Sequence, residues 1–145
     1  PMRVSELLAS KGDLVVTVHP DTSLEQAGKQ LARYGFGVLV ASEDGSVVSG
    51  ILSERDIVRK VAEAGAKGLD VKTRSIMTRK VYTCTPDDTL DDLMRLMTEH
   101  HFRHVPVVNE EGNVCGMISM SDLVKHRVVE LEAETELLQN MITSR

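Results

Sequence analysis

Tryptophan is missing from this 145-residue chain, and two tyrosines and two phenylalanines are its whole aromatic complement. Any core must therefore be aliphatic, and the 41% of apolar residues is enough to build one. Cysteine is nearly absent. Cys84 and Cys115 are too few for a disulfide framework and form no C-x-x-C pattern, so neither an oxidising compartment nor redox catalysis is indicated. No apolar run approaches the roughly 20 residues of a membrane span. No leader-like segment precedes the polar Arg3, Ser5 and Glu6, and a reducing cytoplasm is the expected location. Positive charge is in deficit: 17 Lys and Arg stand against 22 Asp and Glu, a net charge of −5. The broad attraction that nucleic acids require is therefore lacking, and no nucleic-acid partner is expected. Neither a glycine-rich phosphate loop nor a G-x-S-x-G nucleophile turn occurs, so an enzyme is not expected. His100 and His104 are four apart and would share a helix face, but the run continues into a strand and no motif fixes a Cys or acidic ligand nearby. No metal site is expected there.

What the chain does have is a repeat. Shifted along itself, Val15 falls on Val81, Thr17 on Thr83, Pro20 on Pro86, Asp21 on Asp87 and Leu24 on Leu90. Without a gap the match continues through Phe36 on Phe102, Gly50 on Gly116, Ser53 on Ser119, Asp56 on Asp122 and Val58 on Val124. Each copy reads as β-α-β-β-α. Short β-prone runs, Val15 to Val18 and Val81 to Cys84, stop at His19-Pro20 and Thr85-Pro86. Ser23 with Gln26 and Thr89 with Asp92 open helices. Leu24, Ala27 and Leu31 share one helical face, as do Leu90, Leu93 and Met97. Two strands joined at Glu43-Asp44-Gly45, or at Glu110-Glu111-Gly112, come next. A second helix then starts near Ser53 or Ser119. The expected division is repeat 1 over residues 4–66, a linker over 67–74, repeat 2 over 75–128 and a helical tail over 129–145. In that tail Leu131, Leu137, Leu138, Met141 and Ile142 stand among many glutamates. The tail either packs on its own domain or faces a partner. Together with the apolar faces of the second helices it leads to the expectation of a homodimer.

The repeated unit resembles the CBS domain, and the pair resembles a Bateman module. The resemblance rests on Ile76-Met77-Thr78, Pro86-x-x-Thr89-Leu90, His104-Val105-Pro106-Val107-Val108 and Gly116-Met117-Ile118-Ser119-x-x-Asp122. In the first copy it rests on Pro20-x-x-Ser23-Leu24 and Gly50-Ile51-Leu52-Ser53-x-x-Asp56. It implies a mixed α/β (α+β) fold in which the two copies pack with pseudo-twofold symmetry and leave two clefts between them. It further implies that the clefts take adenosine compounds such as AMP, ADP, ATP, NADH or S-adenosylmethionine as regulatory ligands. No catalytic cofactor is implied. Since the repeats take up the chain, the output is expected to act in trans on another protein. A structural dimerisation module without a ligand is the alternative.

Within that resemblance, Ser53-x-x-Asp56 and Ser119-x-x-Asp122 are the candidate ribose sites. A carboxylate suits a vicinal diol because charge-assisted hydrogen bonds are about twice as strong as neutral ones. The same spacing is also an ordinary capping box, and the two roles are compatible. Arg103 and His104, with Arg55, are the candidate phosphate ligands, an Arg offering a forked donor. The first copy has Gly37 and Val38 in place of Arg103 and His104, so the clefts are expected to be unequal. An exposed His104 would titrate near neutrality and bind phosphate more tightly as pH falls. Val16, Val81, Tyr82, Ile51 and Met117 are candidate walls for adenine, with Thr17 and Thr83 as nearby hydroxyls.

Overall fold

Each copy of the repeat folds around its own aliphatic core, but neither core is built from its own copy alone. The computed structural model describes residues 1–144; Arg145, the end of the expected tail, lies outside the described residues. A helix α1 (Val4–Lys11) comes first. The first unit is then β1 (Thr17–Val18), α2 (Leu24–Tyr34), β2 (Val38–Ala41), β3 (Gly50–Ser53) and α3 (Glu54–Ala64). Two short 3-10 turns, Gly65–Asp70 and Thr73–Ser75, lead to the second unit of α4 (Leu90–His100), β4 (His104–Val108), β5 (Val114–Ser119) and α5 (Met120–Thr143).

The local chemistry explains these elements. Ser23 and Thr89 cap their helices by accepting from the backbone N–H three residues on, at 3.2 Å in both copies. Gly35 and His101 end the same helices in the left-handed region. β1 runs parallel to β2, and β2 is antiparallel to β3. β4 and β5 form the matching antiparallel pair, with His104 opposite Ser119 just as Val38 is opposite Ser53. The opening strands are shorter than the sequence suggests. β1 keeps only Thr17 and Val18, and its counterpart shrinks to a single bridge from Cys84 to Val107.

The reason is that the chain changes sides at these points. Helix α1 precedes the first unit but packs in the core of the second, where Val4 and Leu7 are buried against Cys84, Leu90, Leu93 and Val105. The Val4 N–H donates to Asp88 O at 2.8 Å and the Ser5 N–H to Pro86 O at 3.0 Å. The segment after the first unit is seated on that first unit in the same manner. There the Thr73 N–H donates to Thr22 O at 2.8 Å and the Arg74 N–H to Pro20 O at 2.7 Å, while Val71 and Ile76 pack on Val18, Leu24 and Leu39. Residues 12–16 and 79–83 are therefore crossings between the two units and have no neighbouring strand along most of their length. Both seatings depend on a glycine. A Cβ on Gly50 would lie 2.7 Å from Met77 Sδ and 2.9 Å from the Thr78 carbonyl oxygen. A Cβ on Gly116 would lie 2.8 Å from both Leu8 Cδ atoms.

These two clashes are unequal. A leucine tip turns aside more readily than a backbone carbonyl. Gly50→Ala is therefore expected to destabilise by about 1–3 kcal/mol, and Gly116→Ala by less. Urea denaturation of the two variants beside the parent measures this, and an equal or reversed order would show that the linker seat yields as easily as α1.

Candidate functional site

Two clefts open where the crossings run beside the opposite unit. The first encloses about 460 Å³ and the second about 410 Å³. Both volumes fall within the range of small-molecule sites.

Ser53 and Asp56, at the start of α3, form one side of the first cleft. The Ser53 N–H donates to Asp56 Oδ2 at 2.9 Å and the Asp56 N–H to Ser53 Oγ at 3.1 Å. The cap thus uses Oδ2, while Oδ1 lies 3.9 Å from Arg59 Nη1. Ile51 and the crossing residues Val81 and Tyr82 line the apolar wall. The Tyr82 ring stacks on His100 at 4.3 Å and on Phe102 at 5.2 Å between centroids, and Lys80 Nζ lies 5.9 Å from its centroid. Arg55, Arg103 and His104 complete the cleft.

The second cleft repeats this plan with different charges. Ser119 and Asp122 cap α5, with the Ser119 N–H at 2.8 Å from Asp122 Oδ2 and the Asp122 N–H at 3.1 Å from Ser119 Oγ. Val16 and Met117 supply apolar wall. Here, however, Lys11 reaches in from α1, its ammonium donating to Asp122 Oδ2 at 2.8 Å and to the Met117 carbonyl at 2.6 Å. Partial burial pushes the Asp122 carboxyl up, but the Lys11 ammonium and the Ser119 donors outweigh it and hold it below the usual carboxylate range.

Every residue singled out in the sequence lines one cleft or the other except Thr17 and Thr83. Thr17 lies in β1 opposite Val40, with its neighbours Val16 and Val18 turned to the cleft and the core, and Thr83 is exposed on the crossing. The expected inequality of the clefts rests on more than the exchange of Arg103 and His104 for Gly37 and Val38. Gly37 and Val38 do edge it, but Lys11 and Lys125 provide positive charge from α1 and α5. Lys125 had a sequence signal, since it falls on Arg59 in the repeat; Lys11 and Lys80 fall on each other only at the longer offset of the lead-ins.

His104 lines both clefts, and it is half-buried rather than exposed. Burial lowers its pKa from the ordinary imidazole value, with Lys11 and Arg103 acting the same way and Asp122 and Glu54 opposing them. Any charge-dependent phosphate binding therefore belongs at more acid pH than an exposed histidine would give. The three histidines do not converge. His100 stacks on Tyr82, and His101 ends α4 at φ 59°. Among the described residues no group of histidine, cysteine and acidic side chains is arranged to hold a metal. Burial also pushes the Cys84 thiol up to about 12. No helix among the described residues is long and apolar enough to cross a membrane.

The lowered His104 pKa fixes a pH dependence. The folded state prefers the neutral ring, so this contribution to stability is present above the unfolded value of about 6.5 and is lost as pH falls through the folded pKa. His104→Gln should therefore gain on the parent in urea midpoint between about pH 7 and pH 5. NMR titration should place the His104 midpoint below that of a model peptide, and a midpoint at or above it would refute the burial argument.

Comparison with known proteins agrees with this architecture. The sequence profile of the CBS domain matches twice, over residues 12–63 and 73–129. The crystal structure of a CBS-domain containing protein from Agrobacterium tumefaciens is 44% identical, covers 86% of this chain and 98% of its own, and superposes with a TM-score of 0.79. A CBS domain protein from Pyrobaculum aerophilum, complexed with AMP, is 31% identical with a TM-score of 0.79 and coverages of 92% and 99%. The CBS domain pair of protein MJ0100, in complex with 5′-methylthioadenosine and S-adenosyl-L-methionine, is 25% identical with a TM-score of 0.79 and coverages of 89% and 98%.

Proposed function

Because the chain belongs to the CBS domain family, we propose that it is a regulatory module, without catalytic activity of its own, that binds adenine nucleotides in its two clefts and acts in trans on another protein. The observation that carries this reading is the repeated juxtaposition of a capped Ser-x-x-Asp carboxylate with an apolar crossing segment and a cationic edge. In each cleft the cap hydrogen bond falls on Oδ2, which leaves Oδ1 to accept from a ribose diol. Relatives of the same architecture hold AMP, or 5′-methylthioadenosine and S-adenosyl-L-methionine. Such ligands share the adenosine that this arrangement suits. AMP, ADP, ATP and NADH are the ligands of choice because each adds the phosphate for which Arg103, Arg55 and the cleft lysines are suited.

The clefts are not equal in this reading. Lys80, the lead-in equivalent of Lys11, lies over the Tyr82 ring and not on Asp56, so the first cleft takes a nucleoside without displacing an ammonium from its carboxylate. Arg103 and Arg55 also border this cleft, and it is the one expected to fill first. Two chains are further expected to pair as a homodimer, since Val58 on α3 and Val124 on α5 are exposed apolar residues at equivalent places in the two repeats.

Calorimetry with adenosine and AMP tests the assignment. Asp56→Ala should weaken both ligands by about 10- to 150-fold, the worth of a hydrogen bond to a charged group. Arg103→Ala should weaken AMP more than adenosine. Unchanged binding in Asp56→Ala would remove the ribose role, and equal losses in Arg103→Ala would make that side chain a wall instead of a phosphate ligand. A thermal-shift panel of AMP, ADP, ATP, NADH and S-adenosylmethionine ranks the ligands. A ligand at 100 times its Kd stabilises by about 2.7 kcal/mol, and a panel without any shift would refute nucleotide binding.

A further inference from the structure

Helix α5 continues far beyond the unit that it caps. Leu123 is its one buried residue, and every described residue from Arg127 to Ser144 is exposed. An isolated helical segment of this length is marginal in water, and its stability comes from covering an apolar stripe. This stripe has a definite period. Val124, Val128, Leu131, Thr135, Leu138 and Ile142 recur at alternating steps of four and three, which is a heptad seam. The five apolar residues are between 45% and 73% exposed.

We propose that this seam pairs with the same seam of a second copy, in parallel and in register, as a two-stranded coiled coil. The residue types on the seam choose the oligomer. Val128, Thr135 and Ile142 occupy the a positions and are all β-branched, while Leu131 and Leu138 occupy d; that combination favours two parallel strands over three or four. A polar Thr135 at the central a position fixes the register, because any slip would set its hydroxyl against an apolar partner.

The flanking charges choose the direction. In a parallel pair Arg127 at g faces Glu132 at e of the second copy, twice by symmetry, and Glu134 faces the neutral Gln139. In the antiparallel pair that best overlaps the seams, Glu132 would face its own equivalent and so would Glu134. Opposite charges across the seam stabilise and like charges destabilise, so the parallel arrangement wins. Within one chain Arg127 pairs with Glu130, one turn along the same exposed face, and remains within reach of the partner helix. The pairing deepens the expectation that the chain forms a homodimer and does not depend on nucleotide.

The test uses the full chain. Thr135→Cys, in a Cys115→Ser background that removes the half-buried thiol, should form a disulfide between copies on mild oxidation, since only parallel in-register pairing brings residue 135 next to itself. Leu138→Asp should raise the dimer dissociation constant in sedimentation by about tenfold or more. If Thr135→Cys fails to link while a mixture with Leu131→Cys links efficiently, the pairing is antiparallel and the proposal falls. A parent that is dimeric, but whose Leu138→Asp variant keeps the same dissociation constant, would overturn the seam while leaving the homodimer intact. A monomeric parent would overturn both.

Discussion

The exchange of lead-in segments between the two units is the constraint on which the remaining structure depends. Val4 seats on Asp88 as Thr73 seats on Thr22, and Leu8 meets Gly116 as Met77 meets Gly50. Each unit is therefore completed by a piece of chain that comes from outside its own repeat. To make this exchange the chain must pass twice across the gap, at residues 12–16 and 79–83. Those passages cannot join a ladder, which shortens the opening strands. They also become the walls of the clefts, where Val16 and Tyr82 stand opposite the capped carboxylates. The cavities are thus a direct consequence of how the cores are closed.

The same geometry explains how two similar repeats give two dissimilar sites. The backbone plan is repeated closely: the Glu54 N–H donates to Gly37 O at 2.9 Å, and the Met120 N–H donates to Arg103 O at 2.8 Å. What differs is carried on side chains alone. Arg103 extends toward one cleft while Gly37, its equivalent, leaves the other edge bare. Lys11 then supplies the charge from α1, which follows the lead-in offset and not that of the main repeat. His104 stands between these groups and feels both carboxylate and cation. The two clefts thus share one wall, the His104 ring.

Much of this was legible in the sequence, and the limits have physical causes. The shift that aligns Gly50 with Gly116 exposes strands, caps and turns, because those depend on local residue choices that both copies retain. It also brings Asp56 and Asp122 to equivalent places. The lead-ins align at a different offset, three residues longer, because the crossing in the second copy is three residues shorter than in the first. Their sequences share little beyond apolar positions, so the core that each would join was not readable. Lys11 was invisible for the same reason: its role follows from where α1 lands, and a lysine at a helix end is otherwise an ordinary solvated charge. Thr17 and Thr83 lie outside the lining of both clefts, Thr17 because it already belongs to β1 opposite Val40 and Thr83 because it is exposed on the crossing.

Helix α5 joins these parts in a single continuous helix. Its first turn holds Ser119 and Asp122 in the second cleft, Leu123 anchors it in the second core, and the seam begins one residue later at Val124. At about 1.5 Å per residue, Ile142 lies about 30 Å from Asp122. A helix held at one end acts as a lever. A tilt of about 5° at the cap would carry the far end by about 2–3 Å, a displacement that a packed seam registers because close-packed interfaces do not deform continuously. Two tails zipped in parallel would resist independent tilting, so two copies joined there would have to move their caps together. A nucleotide that draws Lys11 away from Asp122 alters the charge at the fixed end of this lever. The second cleft, not the first, is therefore the one that shares a helix with the proposed pairing seam.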